Sequence, residues 1–283
     1  MLFGNERRKV ARAIRDLVVR PKLDAGAGDG DLGAGLQVLA RLAAAPLRFA
    51  PQAATRIPAV LRELGERRRA IPPPRRMAPD PSLTLQVLKS CFTGDQILRT
   101  RYLNLLAASM DRATARQVHP GFVTVLRQLT PDETRIFSRF ENDGPYPVLS
   151  VQSRPKHGGS RHTELRHFSL LGEEAGCEHP GRAPLYLDNL CRLGLTELRP
   201  TKLSEDTRMF KPLEEHPEVA GLVARIGNRP PVVEGRSQSP GQSSSQEDPP
   251  DPMVADLQYK YLFVTSFGRQ FYEACEYRPE AEM

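Results

Sequence analysis

Residues 118–140, VHPGFVTVLRQLTPDETRIFSRF, constrain the fold more than any other stretch. Phe122, Val123, Val125, Leu126 and Leu129 recur at helical spacing behind His119-Pro120, which marks a helix start. Thr130-Pro131-Asp132-Glu133 then places Thr at an N-cap, Pro at the first helical position and Glu at the third, a capping box with a pre-set first turn. Ile136, Phe137 and Phe140 are the apolar face of the next helix. Two helices meeting at so short a punctuation make a corner, and a corner commits its surroundings to helical packing.

The flanks follow the same logic. SLTLQVLKSCFTGDQILRTRYLNLLAASMD (82–111) reads as a helix capped by Ser82, a break at TGD, and a helix with Leu98, Tyr102, Leu105, Leu106 and Ser109 on one face. QSRPKHGGSRHTELRH (152–167) is polar and Gly-containing, so a mobile loop is expected. APLYLDNLCRLGLTEL (183–198) is expected to be a helix closed by Gly194 with a short strand behind it. EEHPEVAGLVARIG (214–227) adds a helix, and LQYKYLFVTSFGRQFYEAC (257–275) a strand and then a helix starting near Thr265. Residues 228–252, rich in Pro, Ser and Gln, have the composition of a disordered insertion. The fold class expected is therefore mainly α: an N-terminal basic helical arm and a helical body with a small winged-helix-like α+β part at its C-terminal end.

Charge divides the 283 residues. The net +6 is concentrated in residues 1–80, which carry 16 Lys and Arg against 8 Asp and Glu. Within the arm, Val10, Ala13, Ile14, Leu17 and Val18 predict a short amphipathic helix before the Gly-rich break at 24–35. Further on, Arg41, Arg48, Arg56 and Arg62 fall on one arc of a helical projection, a cationic stripe that suits an anionic surface. Pro46, Pro51 and Pro58 interrupt that stripe. The expected organisation is a basic amphipathic helical arm over 1–66, a Pro/Arg-rich linker over 67–81 and a body over 82–283.

Chemistry is scarce. The sequence has no G-x-S-x-G elbow, no H-E-x-x-H and no G-x-x-x-x-G-K-[ST], and the Gly-rich GAGDGDLGAG has no clear strand before it and carries two Asp that would repel a phosphate. Cys177, Glu178, His179, Cys191 and His167 could donate to zinc, but their spacing is looser than structural zinc sites use. No catalytic residue, cofactor or metal is expected. The four Cys form no C-x-x-C pair and read as free thiols of a reducing cytoplasm. Neither a secretory signal nor a membrane-spanning run is expected. DNA reading through 183–192 is disfavoured, because Asp188 sits between Pro184 and Arg192 on the outer face and repels phosphate.

Four blocks taken together, LLAASMD, HPGFVTVLRQLTPDE, YLDNLCRLGLTEL and VTSFGRQFYEAC, resemble the Abi-alpha family of bacterial abortive-infection proteins. His119, Pro120, Phe122, Gln128, Leu129, Pro131, Glu133, Asn189, Leu190, Gly194, Phe267, Gly268 and Phe271 stand where that family has its signature. The resemblance implies antiviral defence by a cytoplasmic protein that acts without catalysis. Its partner would be phage-derived or a second copy of itself, with peripheral contact at the inner membrane through 32–70 as a further route. The alternative is a winged-helix DNA-binding regulator of a defence locus. A small-molecule ligand is not indicated.

Overall fold

The computed structural model describes residues 51–91, 95–141, 144–201, 207–230 and 251–279, with backbone alone for 51–58, Pro81, Lys89 and Thr207. The helix expected over 5–20, the Gly-rich break, Arg41, Arg48 and residues 231–250 of the insertion lie outside the described residues, as does the side chain of Arg56. In chain order the helices are α1 (Pro51–Ala70), α2 (Pro81–Cys91), α3 (Gln96–Ser109), α4 (Phe122–Leu126), α5 (Pro131–Phe137), α6 (Leu171–Glu174), α7 (Ala183–Arg192), α8 (Lys211–Glu214), α9 (Pro217–Gly227) and α10 (Ser266–Cys275). The strands are β1 (Tyr146–Pro155), β2 (His162–Phe168), β3 (Thr196–Pro200) and β4 (Met253–Val264). These elements divide into a helical unit, residues up to Arg139 together with 266–283, and a sheet unit, Phe140–Thr265.

The helical unit is built round α3. Tyr102 through Ser109 are all buried, so this helix has no solvent side over its last two turns. The sequence spacing suggested a single apolar face; a helix enclosed on every side has to be apolar all round. Asn104 is the polar exception, and both ends of its amide are bonded. Its Nδ2 donates to the Cys275 carbonyl at 2.8 Å and its Oδ1 accepts from Arg67 Nε at 2.9 Å. The first side-chain caps of this unit are aspartates. Asp80, rather than Ser82, accepts from the Leu83 amide at 2.9 Å, and Asp95 accepts from the Ile97 amide at 2.7 Å. Residues 67–81, read as a linker, begin as the last turn of α1 and continue as a packed segment. Ile71 is fully buried, and the Met77 amide donates to the Met110 carbonyl.

The corner at 118–140 forms as its residues dictate. Thr130 Oγ1 accepts from the Glu133 amide and Glu133 Oε2 accepts from the Thr130 amide at 2.6 Å, closing the capping box. Phe122, Val123 and Leu126 of α4 and Ile136 and Phe137 of α5 are buried.

The sheet unit overturns the expectation of a mainly α chain. The molecule is mixed α+β, with a four-stranded antiparallel sheet in the order β2-β1-β4-β3. The anticipated α7, β3 and β4 are present. They do not form a winged-helix-like part, because the central pair of the sheet is β1 with β4, in register from Tyr146↔Leu262 to Pro155↔Met253. The supposed mobile loop at 152–167 is the end of β1, the turn and most of the outer strand of a β1–β2 hairpin. Its polar sequence misleads because β2 is an edge strand whose first two residues are exposed and whose buried positions come only at its end. One face of the sheet packs on α8 and α9, where Leu149, Val151 and Phe168 meet Leu213, Val219, Leu222 and Ile226. The other face meets α7, whose Tyr186, Leu187 and Leu190 are buried. Gly194 ends that helix at φ +73°, with its amide bonded to the Cys191 carbonyl and the Leu195 amide to the Leu190 carbonyl. Such a Schellman ending needs a left-handed residue, which glycine supplies without strain.

Candidate functional site

Two clusters of side chains stand out, one in each unit. In the helical unit the cluster is aromatic. Phe122 of α4 lies edge-on to Phe267 and Phe271 of α10, with ring centroids 5.4 Å apart in each case. Phe137 of α5 closes on Phe271 at 5.2 Å, and His119 caps the outer end, 5.8 Å from Phe122 and 6.3 Å from Phe267. Edge-to-face rings place positive ring edges on negative faces, which adds attraction beyond the area they bury. His119 Nδ1 accepts from the Gly121 amide at 3.0 Å, which fixes the imidazole just ahead of α4.

The signature positions sort by place. Phe122, Leu129, Glu133, Gly268 and Phe271 are buried; Pro131 opens α5; His119, Pro120 and Gln128 are exposed and Phe267 is half-buried. Asn189 and Gly194 belong to the sheet unit. Asn189 Oδ1 accepts from Arg192 Nε at 2.9 Å and Nη2 at 2.7 Å on the outer side of α7. Arg62, the one arginine of the proposed stripe with a described side chain, is exposed and lies 3.9 Å from Glu66. The opposite side of α1 is occupied, since Val60, Leu61 and Leu64 are buried.

The second cluster is polar and sits on the α7 face of the sheet. Between Leu149↔Phe168 and Val151↔Leu165 the β1 strand advances two residues while β2 advances three, so β2 carries a bulge. His167 takes the extra position, at φ +53°. Leu165 and Phe168 keep to the α9 side of the sheet, so the bulge sends both Arg166 and His167 toward α7. There His167 Nδ1 lies 2.7 Å from Asp188 Oδ1, and Arg166 Nε lies 3.6 Å from the other carboxylate oxygen. A carboxylate only accepts, so Nδ1 carries the proton and Nε2 holds a lone pair. That lone pair faces Lys260 Nζ at 3.3 Å. The His167 amide donates to Ser150 Oγ at 3.0 Å. Burial holds the imidazole below its ordinary pKa, with Lys260 and Arg166 adding to the shift and Asp188 opposing it. Cys191, one turn beyond Asp188, is also held above its ordinary pKa, chiefly by burial, so its thiol is not activated.

Sequence reasoning noticed Asp188 only as an outward acidic residue and His167 only as part of a loop. The signal that joins them, a bulge register, appears only once the strands are paired. Among the described residues no group of His, Cys, Asp and Glu is placed to hold a metal, and no helix is long and apolar enough to cross a membrane.

Fold and clusters together define a two-unit α+β protein with an aromatic cluster in its helical unit and a polar one in its sheet unit. No curated protein and no solved structure matches the chain. It belongs to the Abortive infection alpha family, whose profile matches residues 52–275, and that membership carries a defence role of the abortive-infection type.

Proposed function

We propose that the chain limits phage growth by binding a protein partner through the corner that α4, α5 and α10 build, without chemistry of its own. The observation that carries this reading is the division among the signature residues of the helical unit. Phe122 and Phe271 lock the cluster from inside, while His119 stays exposed and Phe267 half-exposed at its edge, and Pro120 and Gln128 are exposed as well. A rigid aromatic base under a few adaptable polar groups is what a recognition surface needs. Action on a membrane through 32–70 has less support, because the part of α1 with described side chains has its apolar side buried within the unit.

Phage plaquing on a bacterial lawn expressing the chain at near-native level, with host growth followed in parallel, tests the reading. The wild type is expected to reduce plaques with early arrest of infected cells. The double variant His119→Ala/Gln128→Ala, at equal folded level, is expected to restore plaquing. Plaquing unchanged by the wild type across a broad phage panel would remove the defence reading. A double variant as protective as the wild type would remove the corner from it.

A further inference from the structure

The polar cluster on the sheet has a property that a merely structural network lacks. Its central residue occupies a left-handed backbone conformation that L side chains rarely adopt, and its two ring nitrogens face partners of opposite charge. We propose that Asp188, His167 and Lys260 form a proton-operated latch, in which the neutral imidazole holds the Lys260 ammonium and protonation releases it.

The geometry carries the argument. With Nδ1–H committed to the Asp188 carboxylate at 2.7 Å, Nε2 is the acceptor that Lys260 Nζ meets at 3.3 Å. A second proton on the ring turns Nε2 into a donor. Two donors, each bearing positive charge, then face one another across the former hydrogen bond. The bond to Asp188 becomes an ion pair and strengthens, so the ring stays and the lysine leaves. The backbone need not follow. Lys260 is paired with Val148 of β1 on one side and Pro200 of β3 on the other, which confines the change to its side chain.

The charged groups round the imidazole all bear on this switch. Arg166 on β2 and Lys260 on β4 disfavour the proton, Asp188 on α7 favours it, and β1 contributes only the Ser150 hydroxyl, bonded to the backbone of His167. Burial leaves His167 only 5% exposed and disfavours charge as well. The latch therefore stays shut through neutral pH and opens on the acid side of the ordinary histidine range. Opening adds one positive charge and frees a second beside Arg166, so this face of the sheet becomes more cationic and better suited to an acidic surface.

The test uses the full chain carrying ¹⁵N in its histidine rings and lysine side chains, followed by NMR from pH 8 to pH 4.5. At the alkaline end His167 is expected as the Nδ1–H tautomer. One titration below the ordinary histidine value is expected, and the Lys260 signal should move with the same midpoint. Lys260→Met removes the opposing charge and should raise the His167 midpoint by about half a unit or more. Lys260→Gln keeps an N–H donor without the charge and should raise it too, which guards against a variant that repacks. An Nε2–H tautomer at pH 8, a Lys260 signal indifferent to the His167 titration, or a midpoint unmoved in both variants would each overturn the latch.

Discussion

Arg101 and Glu276 are 175 residues apart in sequence and are bonded at 2.6 Å, Nη1 of one donating to Oε2 of the other. Arg101 lies on α3 and Glu276 directly follows α10. With the Asn104 amide on the Cys275 carbonyl, the pair fastens the end of the described chain to the helix at the centre of its unit. Burial pushes the Glu276 carboxyl up, and Arg101, with help from Ser138 and Arg278, opposes that push. Arg101→Met should leave that half-buried acid with only Ser138 and Arg278 to oppose its burial. A loss of about 3 kcal/mol is expected in urea unfolding, and a loss under 1 kcal/mol would show that water replaces the arginine.

Phe271 is fully buried with Phe122 on one side and Phe137 on the other. Phe271→Ala removes a ring that both neighbours pack on, and should cost about 3–5 kcal/mol. Phe271→Leu keeps most of the volume and should cost clearly less. Near-ultraviolet circular dichroism and a thermal melt separate the two variants.

Thr130→Ala opens the capping box and exposes the Glu133 amide, with an expected loss of about 1 kcal/mol. Thr130→Ser keeps the hydroxyl and should lose much less. Equal losses for the two variants would mean that the methyl group, and not the cap, is what matters.

His167 predicts an inversion of the usual order. Glycine is normally the worse substitute, but at φ +53° a side chain is itself the strain. Both His167→Gly and His167→Ala lose the bonds to Asp188 and Lys260. The glycine variant should nevertheless be the more stable of the two by about 1 kcal/mol, as measured by chemical denaturation. Alanine as stable as glycine would contradict the bulge geometry.

Asp111 sets an acid limit. Burial raises its carboxyl, but bonds from Arg75, from the Tyr277 hydroxyl at 2.6 Å and from the Ala113 amide at 2.9 Å outweigh that and hold it below the usual range. A carboxyl that titrates lower when folded favours the folded chain above its unfolded pKa, and that contribution fades as pH falls toward the folded value. The melting temperature of the wild type should therefore drop as pH falls below the ordinary carboxylate range. Asp111→Asn should melt lower at neutral pH and lose less on acidification. Parallel pH profiles for the two proteins would sink this account.

The local parts of the fold were legible because their determinants are local. Thr130, Pro131 and Glu133 specify a cap within four residues, and Gly194 ends α7 through bonds to carbonyls three and five positions back. The sheet was not legible, because its central pairing joins residues about a hundred positions apart and leaves no local mark. Strand β2 shows why: HTELRHF has no period-two apolar pattern, since its first residues are exposed and the bulge at His167 breaks the alternation. The aromatic cluster fell between these cases. Phe122, Phe267 and Phe271 were singled out individually through the family signature, and only the fold brings their rings together.

The return of α10 to α3 has a consequence for the order in which the protein is made. Synthesis runs from the N-terminus, and domains generally fold as units as they emerge. Every strand of the sheet unit precedes Thr265, so that unit has all its strands while α10 is still being added. The helical unit begins first and finishes last, for until Phe267 and Phe271 arrive the rings of Phe122 and Phe137 lack the partners they close on. A chain cut short of α10 therefore cannot assemble the His119 corner. The corner is in this way withheld until α10 has emerged, after every strand of the sheet unit has been made.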